Sequence, residues 1–163
     1  MIKVPNRLQV IASMVDKNAV VADIGTDHCY LPIYLIQSGR IKKCYSSDVN
    51  EGPLAAARKN VKAYGLENQI ELRLADGISH LESDVTTVTI SGMGGSLMTN
   101  IFSANKEKLA NVNTIICQPN VGAFTIRKWL VNNDFMIVEE KIFKETIIQN
   151  NRFVCQHRYH MYG

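Results

Sequence analysis

Val20–Val21–Ala22–Asp23–Ile24–Gly25–Thr26–Asp27–His28 decides the fold of this chain. An apolar run of β-branched and small residues ends in Gly25, with carboxylates at Asp23 and Asp27. Cys29, Tyr30 and Leu31 follow, and Pro32 opens what reads as a helix. A buried strand feeding a glycine turn and then a helix is the first βα unit of a nucleotide-binding α/β sheet. The helix start carries unpaired N–H groups and partial positive charge, which suits an anionic group on a ligand.

The ligand follows from charge. A dinucleotide fingerprint, G-x-G-x-x-G, is not met, because Asp27 stands at the second glycine's place and no third glycine follows. A pyrophosphate beside Asp27 would meet a repulsion on the order of 3 kcal/mol at ~5 Å and an effective dielectric near 20. S-adenosyl-L-methionine instead carries an ammonium and a sulfonium beside a single carboxylate, so acidic loop residues suit it better than NAD. Taken alone the turn is weak evidence, since Gly25 would serve any strand-to-helix connection.

At 163 residues, the chain fits one domain, burying roughly 70% of its unfolded surface. A net charge of +3 permits an RNA partner without indicating one, and Lys and Arg are scattered among acids. Cys29, Cys44, Cys117 and Cys155 show no C-x-x-C spacing, and no paired histidines stand at zinc distances, so reduced thiols and no metal are expected. No apolar signal core opens the chain, and Tyr30–Ile36 is too short to span a bilayer. These features predict a soluble, cytoplasmic protein, read as a monomer.

Outward from the opening stretch, Asn6 caps a predicted helix ending near Lys17, and Arg7 at its start reads by default as a solvated charge that could also reach a phosphate. Strands are expected at Ala19–Ile24, Lys43–Val49, Ile70–Leu74, Val85–Ser91, Thr114–Cys117, Phe135–Phe143 and Phe153–Tyr159. Helices are expected at Pro32–Ser38, Leu54–Tyr64, from Gly95 through Leu109, and at Val121–Asn133. The alternation predicts a doubly wound, mostly parallel α/β sheet. Right-handed crossovers bring Gly25–Asp27, Asp48, Asp76–Gly77, Gly92–Gly95 and Gln118–Asn120 to one rim, where open α/β sheets bind ligands.

Each rim residue has a plainer alternative. Asp48 ends the second strand about twenty residues past Gly25, where an acid binds ribose hydroxyls, though it could simply start a turn. Asp76 could accept an adenine amino group or form an Asx turn with Gly77, and both readings stay open. Gly92, Gly94 and Gly95 around Met93 exceed what one turn needs and allow close backbone approach to a ligand. Asn120 could cap the next helix, the safer reading, or present its amide to a base edge. His28 reads as a turn histidine, and His80, His157 and His160 as surface residues.

The stretch VADIGTDHCYLPIYL, the helix start DVNEGPL, the SGMGG loop and the QPN turn together resemble the TrmK family, over roughly Asn6 to Glu140. The resemblance implies a class I methyltransferase (Rossmann-like) fold, S-adenosyl-L-methionine as donor, and methylation of adenine 22 at N1 in bacterial tRNA. It also implies a donor cradle at Gly25, Asp48, Asp76 and Gly94, with Asp27 near the donor's amino-acid end or the incoming adenine. Family members continue into a C-terminal helical extension that helps hold tRNA, whereas this sequence stops at Gly163, and Gln149–Gly163 matches the family poorly. A single methyltransferase domain lacking that extension is therefore expected. The alternatives are a donor-binding but inactive module, or a methyltransferase acting on a small molecule or protein. The candidate donor-binding residues are Asp23, Gly25, Thr26, Asp48, Val49, Asp76, Gly77, Gly92, Met93 and Gly94. The candidate catalytic residues are Asp27 and Asn120, each placed to accept from the adenine amino group.

Overall fold

A computed structural model of the chain describes the backbone of residues 1–147 and 150–161 and the side chains of residues 1–141. In chain order the elements are α1 (Asn6–Ser13), β1 (Val20–Ile24), α2 (Tyr30–Gln37), β2 (Lys43–Asp48), α3 (Glu51–Ala63), β3 (Ile70–Leu74) and β4 (Thr87–Gly94). There follow α4 (Gly95–Ala104), a 3-10 turn (Lys106–Leu109), β5 (Thr114–Val121), α5 (Ala123–Asn132), β6 (Phe135–Ile147) and β7 (Asn150–Met161). The strands form one sheet in the order β3-β2-β1-β4-β5-β7-β6. Strands β1 to β5 are parallel, and β7 runs antiparallel to both β5 and β6.

Side-chain alternation divides the core in two. Val21, Cys44, Ile70 and Ile116 join Leu8 and Ile11 of α1, Ile33 of α2 and Val61 of α3. Their strand neighbours Ala22, Ile24, Ile90, Ile115 and Cys117 pack with Met98 and Phe102 of α4 and Ile126 and Leu130 of α5. Because both faces of the sheet are covered, the central strands read as unbroken apolar runs rather than alternating ones. The chain moves from β1 out to β3 and then returns to β4 on the other side of β1. That reversal opens a crevice beyond the carboxyl ends of β1 and β4.

Several local expectations are displaced. Asn6 is the first residue of α1 and not its cap; Pro5 precedes it, and no side chain caps the helix. The helix stops at Ser13 instead of Lys17, because a turn with Asn18 at φ 62° redirects the chain into β1. The Gly92–Gly95 stretch is mostly strand: β4 runs on to Gly94, with register shifts against β5 between Ser91 and Gly94. Glycine suits such an irregularity, where the strand must bend and twist. Likewise β5 continues through Gln118–Val121, so Asn120 is a strand residue and Gly122, at φ 69°, precedes α5. The helix expected through Leu109 ends at Ala104 and resumes as the 3-10 turn. His80 is exposed, as expected. The side chains of His157, His160 and Cys155 lie outside the described residues.

Candidate active site

A cavity of about 780 Å³ opens over the carboxyl ends of β1 to β5, within the range of small-molecule and cofactor sites. All five segments expected at this rim contribute to it, though Gly94, Gly95, Gln118 and Pro119 are not themselves in the lining. Asp23, Gly25, Thr26, Asp27, Asp48, Val49, Asp76, Gly77, Gly92, Met93 and Asn120 line it. Gly94 lies just beyond the lining, because β4 extends through it and it packs beside Val121.

The loop between β1 and α2 is held in an unusual backbone. Gly25, Asp27 and Cys29 all have positive φ, 69°, 53° and 65°. For Cys this costs energy, and such strain persists only where surrounding contacts enforce it. Here the Thr26 N–H donates to Ser47 O at 2.8 Å and the Cys29 N–H to Thr26 O at 3.0 Å. The Asp27 N–H donates to Asp48 Oδ2 at 3.3 Å. Glycine suits position 25 for its φ; a Cβ there would also displace the end of the flexible Met93 side chain. The first turn of α2, whose N–H groups have no partner within the helix, faces the cavity through Tyr30 and Leu31.

Asp23 is a support beneath this loop. It is 4% exposed and accepts from Thr89 Oγ1 at 2.7 Å and Thr26 Oγ1 at 2.8 Å. Burial pushes its carboxyl up to about 6, while the two hydroxyls and the Arg7 guanidinium act against that rise. Asp48 is also buried, and its Oδ1 accepts from the Asn50 N–H at 3.0 Å. The local-turn reading of Asp48 is seen in the Asn50 contact, and the residue also lines the cavity. Asp76 is exposed at the end of β3, with Gly77 at φ 56° pressed toward Ile101. His28 stacks on Tyr30 with centroids 5.1 Å apart, its Nε2 3.8 Å from Asp27 Oδ1.

Arg7 departs from the solvated charge expected of it. It lines the cavity and donates from Nη1 to Gln118 Oε1 at 2.8 Å. Gln118, fully buried, also accepts from the Gly92 N–H at 3.1 Å and donates from Nε2 to Asn120 Oδ1 at 3.2 Å. Sequence reasoning had no signal for this cluster, since Arg7 and Gln118 lie 111 residues apart. Tyr30, Leu97 and Ile101 also line the cavity, with no sequence signal to place them there. Among the described residues no group of three His, Cys, Asp or Glu could hold a metal, and no helix is long and apolar enough to cross a membrane.

The donor set fits an adenosine-bearing cation better than a dinucleotide. Four carboxylates, Asp23, Asp27, Asp48 and Asp76, line the cavity against one arginine. A pyrophosphate would face that acidic lining, whereas an ammonium or sulfonium is drawn to it.

Comparison with known proteins agrees with this chemistry. Residues 4–150 match the family model described as a methyltransferase domain. The tRNA (adenine(22)-N(1))-methyltransferase of Bacillus subtilis is 35% identical over 145 residues, covering 88% of this chain and 61% of that protein. The chain thus spans about three fifths of that curated relative's length. The crystal structure of the B. subtilis M1A22 tRNA methyltransferase TrmK superposes with a TM-score of 0.92 at 30% identity, covering 99% of this chain and 68% of that one. A Streptococcus pneumoniae protein solved in complex with S-adenosyl-L-methionine gives a TM-score of 0.92 at 39% identity, covering 98% and 73%.

Proposed function

The chain belongs to the TrmK family of methyltransferases, and from that premise we propose that it methylates N1 of adenine 22 in tRNA, with S-adenosyl-L-methionine as donor. The observation that carries the reading is the acidic, glycine-lined cavity at the reversal point of the sheet. Its support from relatives is the S-adenosyl-L-methionine complex of the S. pneumoniae protein. A tRNA substrate would place the protein in the cytoplasm.

The donor, when bound, supplies an electrophilic methyl group on a sulfonium. Asp48 offers two carboxylate oxygens to vicinal ribose hydroxyls, a charge-assisted pairing. Gly25 lets the backbone come close, and the first turn of α2 offers N–H groups to a carboxylate. Asp76 and Gly77 border the end where a base would lie, with Val49 beside them. Gly92 and Met93 form the opposite wall, and Asp23 holds Thr26 in place from below.

Neutral adenine N1 has an in-plane lone pair, so no general base is needed. The work left to the protein is positioning, which supplies several kcal/mol when reacting atoms are held at near-attack distance. N1 lies on the pairing edge, so the nucleotide must leave its stack, at a cost of about a few kcal/mol. Asp27, exposed on the lining, accepts from the exocyclic amino group and so favours the charge that develops on the ring. Asn120 is a further polar group of the lining.

Purified chain, donor and a tRNA transcript should yield 1-methyladenosine at position 22, read by nuclease mapping and mass spectrometry. Asp27→Ala should lower the methylation rate while leaving donor affinity near its starting value. Methylation at another position or on another molecule would overturn the reading, as would donor binding without transfer.

A further inference from the structure

Three groups converge on the amide of Gln118, which is 0% exposed at the end of β5. Its Oε1 accepts from Arg7 Nη1 at 2.8 Å and from the Gly92 N–H at 3.1 Å, and its Nε2 donates to Asn120 Oδ1 at 3.2 Å. The two ends of an amide side chain have nearly the same shape, so only their partners tell them apart. Here the partners leave no choice. A guanidinium and a backbone N–H are donors alone, so the end of Gln118 that faces both must be oxygen. Its other end is then NH2, and the atom of Asn120 that meets it must be an acceptor.

We infer that Gln118 is a positioning residue that fixes the polarity of the Asn120 amide, so that Asn120 turns a hydrogen-bond donor, its NH2, toward the cavity. This rests on reading the site as one that methylates a nucleobase. It reverses the role expected of Asn120 from sequence, where the amide was to accept from the adenine amino group. Asp27 keeps the acceptor role. The pair then presents one acceptor and one donor, which adenine answers with its amino group and a ring nitrogen other than N1. Adenine displays such a donor and acceptor side by side along its N6 and N7 edge, and contacts there leave N1 uncovered.

Substitution of Gln118 by Glu separates this role from a structural one. A carboxylate still accepts from Arg7 and from Gly92, so the clasp across α1, β4 and β5 survives. It has no proton for Asn120, whose amide must turn over to donate to it, leaving Oδ1 facing the cavity. Gln118→Glu should therefore lower kcat about tenfold, equivalent to ~1.4 kcal/mol, while the donor Kd stays within about threefold. Asn120→Asp, which offers only acceptors, should lose at least as much as Asn120→Ala. In the Asn120→Ala background Gln118→Glu should cost nothing further, as expected of two residues acting through one contact. Independently of turnover, NMR hydrogen exchange at the Asn120 side-chain amide should slow in Gln118→Glu, because those protons become bonded.

Full activity of Asn120→Asp, multiplying losses in the double variant, or unchanged amide exchange would each overturn the inference. Failure of the unaltered chain to make 1-methyladenosine would instead overturn the proposed function, and the exchange measurement would still decide the orientation of Asn120.

Discussion

The two lips of the cavity are built differently. The lip at Gly25–Cys29 combines near neighbours with the adjacent strand: Thr26 bonds Asp23 three residues back and Cys29 bonds Thr26, while the Thr26 and Asp27 N–H groups reach Ser47 and Asp48 at the end of β2. The facing lip, Ser91–Gly95 with Gln118–Gly122, is held by Gln118 contacts to Gly92, 26 positions away, and to Arg7, 111 away. The first lip stores its shape in a short strained loop. The second takes its shape from two extended strands and a buried amide that ties them to α1. The first lip therefore leans on its neighbouring strands β2 and β4, while the second also depends on the N-terminal helix being in place.

The sharpest way to break this contrast is at Gly95. A Cβ there would overlap the backbone carbonyl of Gly122, so backbone, and not the end of a flexible side chain, would have to shift. Gly95→Ala should destabilise the fold by at least about 4 kcal/mol in denaturant unfolding, among the larger single-residue effects. An effect under about 1 kcal/mol would mean that the second lip is as adaptable as an ordinary loop.

Next in size is the pH response of the first lip. The folded pKa of Asp23, about 6, lies above its ordinary 3.8. Folding therefore takes up a proton between those values. The group's contribution to stability is fully present below pH 3.8 and is lost as the pH rises through 6, a change of about 3 kcal/mol. Urea unfolding across that window should show the decline, and Asp23→Asn should flatten it.

Donor affinity offers a third test. Asp48→Ala removes the proposed ribose acceptor together with the partner of the Asp27 N–H, and should weaken donor binding by about 2 kcal/mol, near thirtyfold. Calorimetry reads this directly, and Asp48→Asn should lose less. The smallest effect is expected at Gly92, where a Cβ would meet nothing within 4 Å and only the φ of 73° resists substitution. Gly92→Ala should cost about 1 kcal/mol. The gap between Gly92 and Gly95 separates backbone preference from close approach within one lip.

These differences also mark what the residues reveal without coordinates. The first lip was readable because its cause is local: the apolar run Val20–Ile24, the glycine after it, and Asp48 at the expected distance. The boundaries of β4 and β5 were not readable. Gly92, Gly94 and Pro119 are turn residues by composition, yet strand pairing carries them past the points where propensity would stop a strand. Asn120 looked like a helix cap for the same reason, and Gly122 opens α5 in its place.

The order of elements, the doubly wound sheet and the gathering of acids and glycines at one rim were determined by sequence alone, since each follows from short-range pattern and the handedness of the crossovers. Tertiary structure alone decided that Arg7 reaches the rim, that Gln118 joins three elements, and which end of the Asn120 amide meets Gln118. The physical reason is that a hydrogen bond's direction depends on which donors and acceptors finally meet. Residues 111 positions apart meet only once the sheet has closed around them.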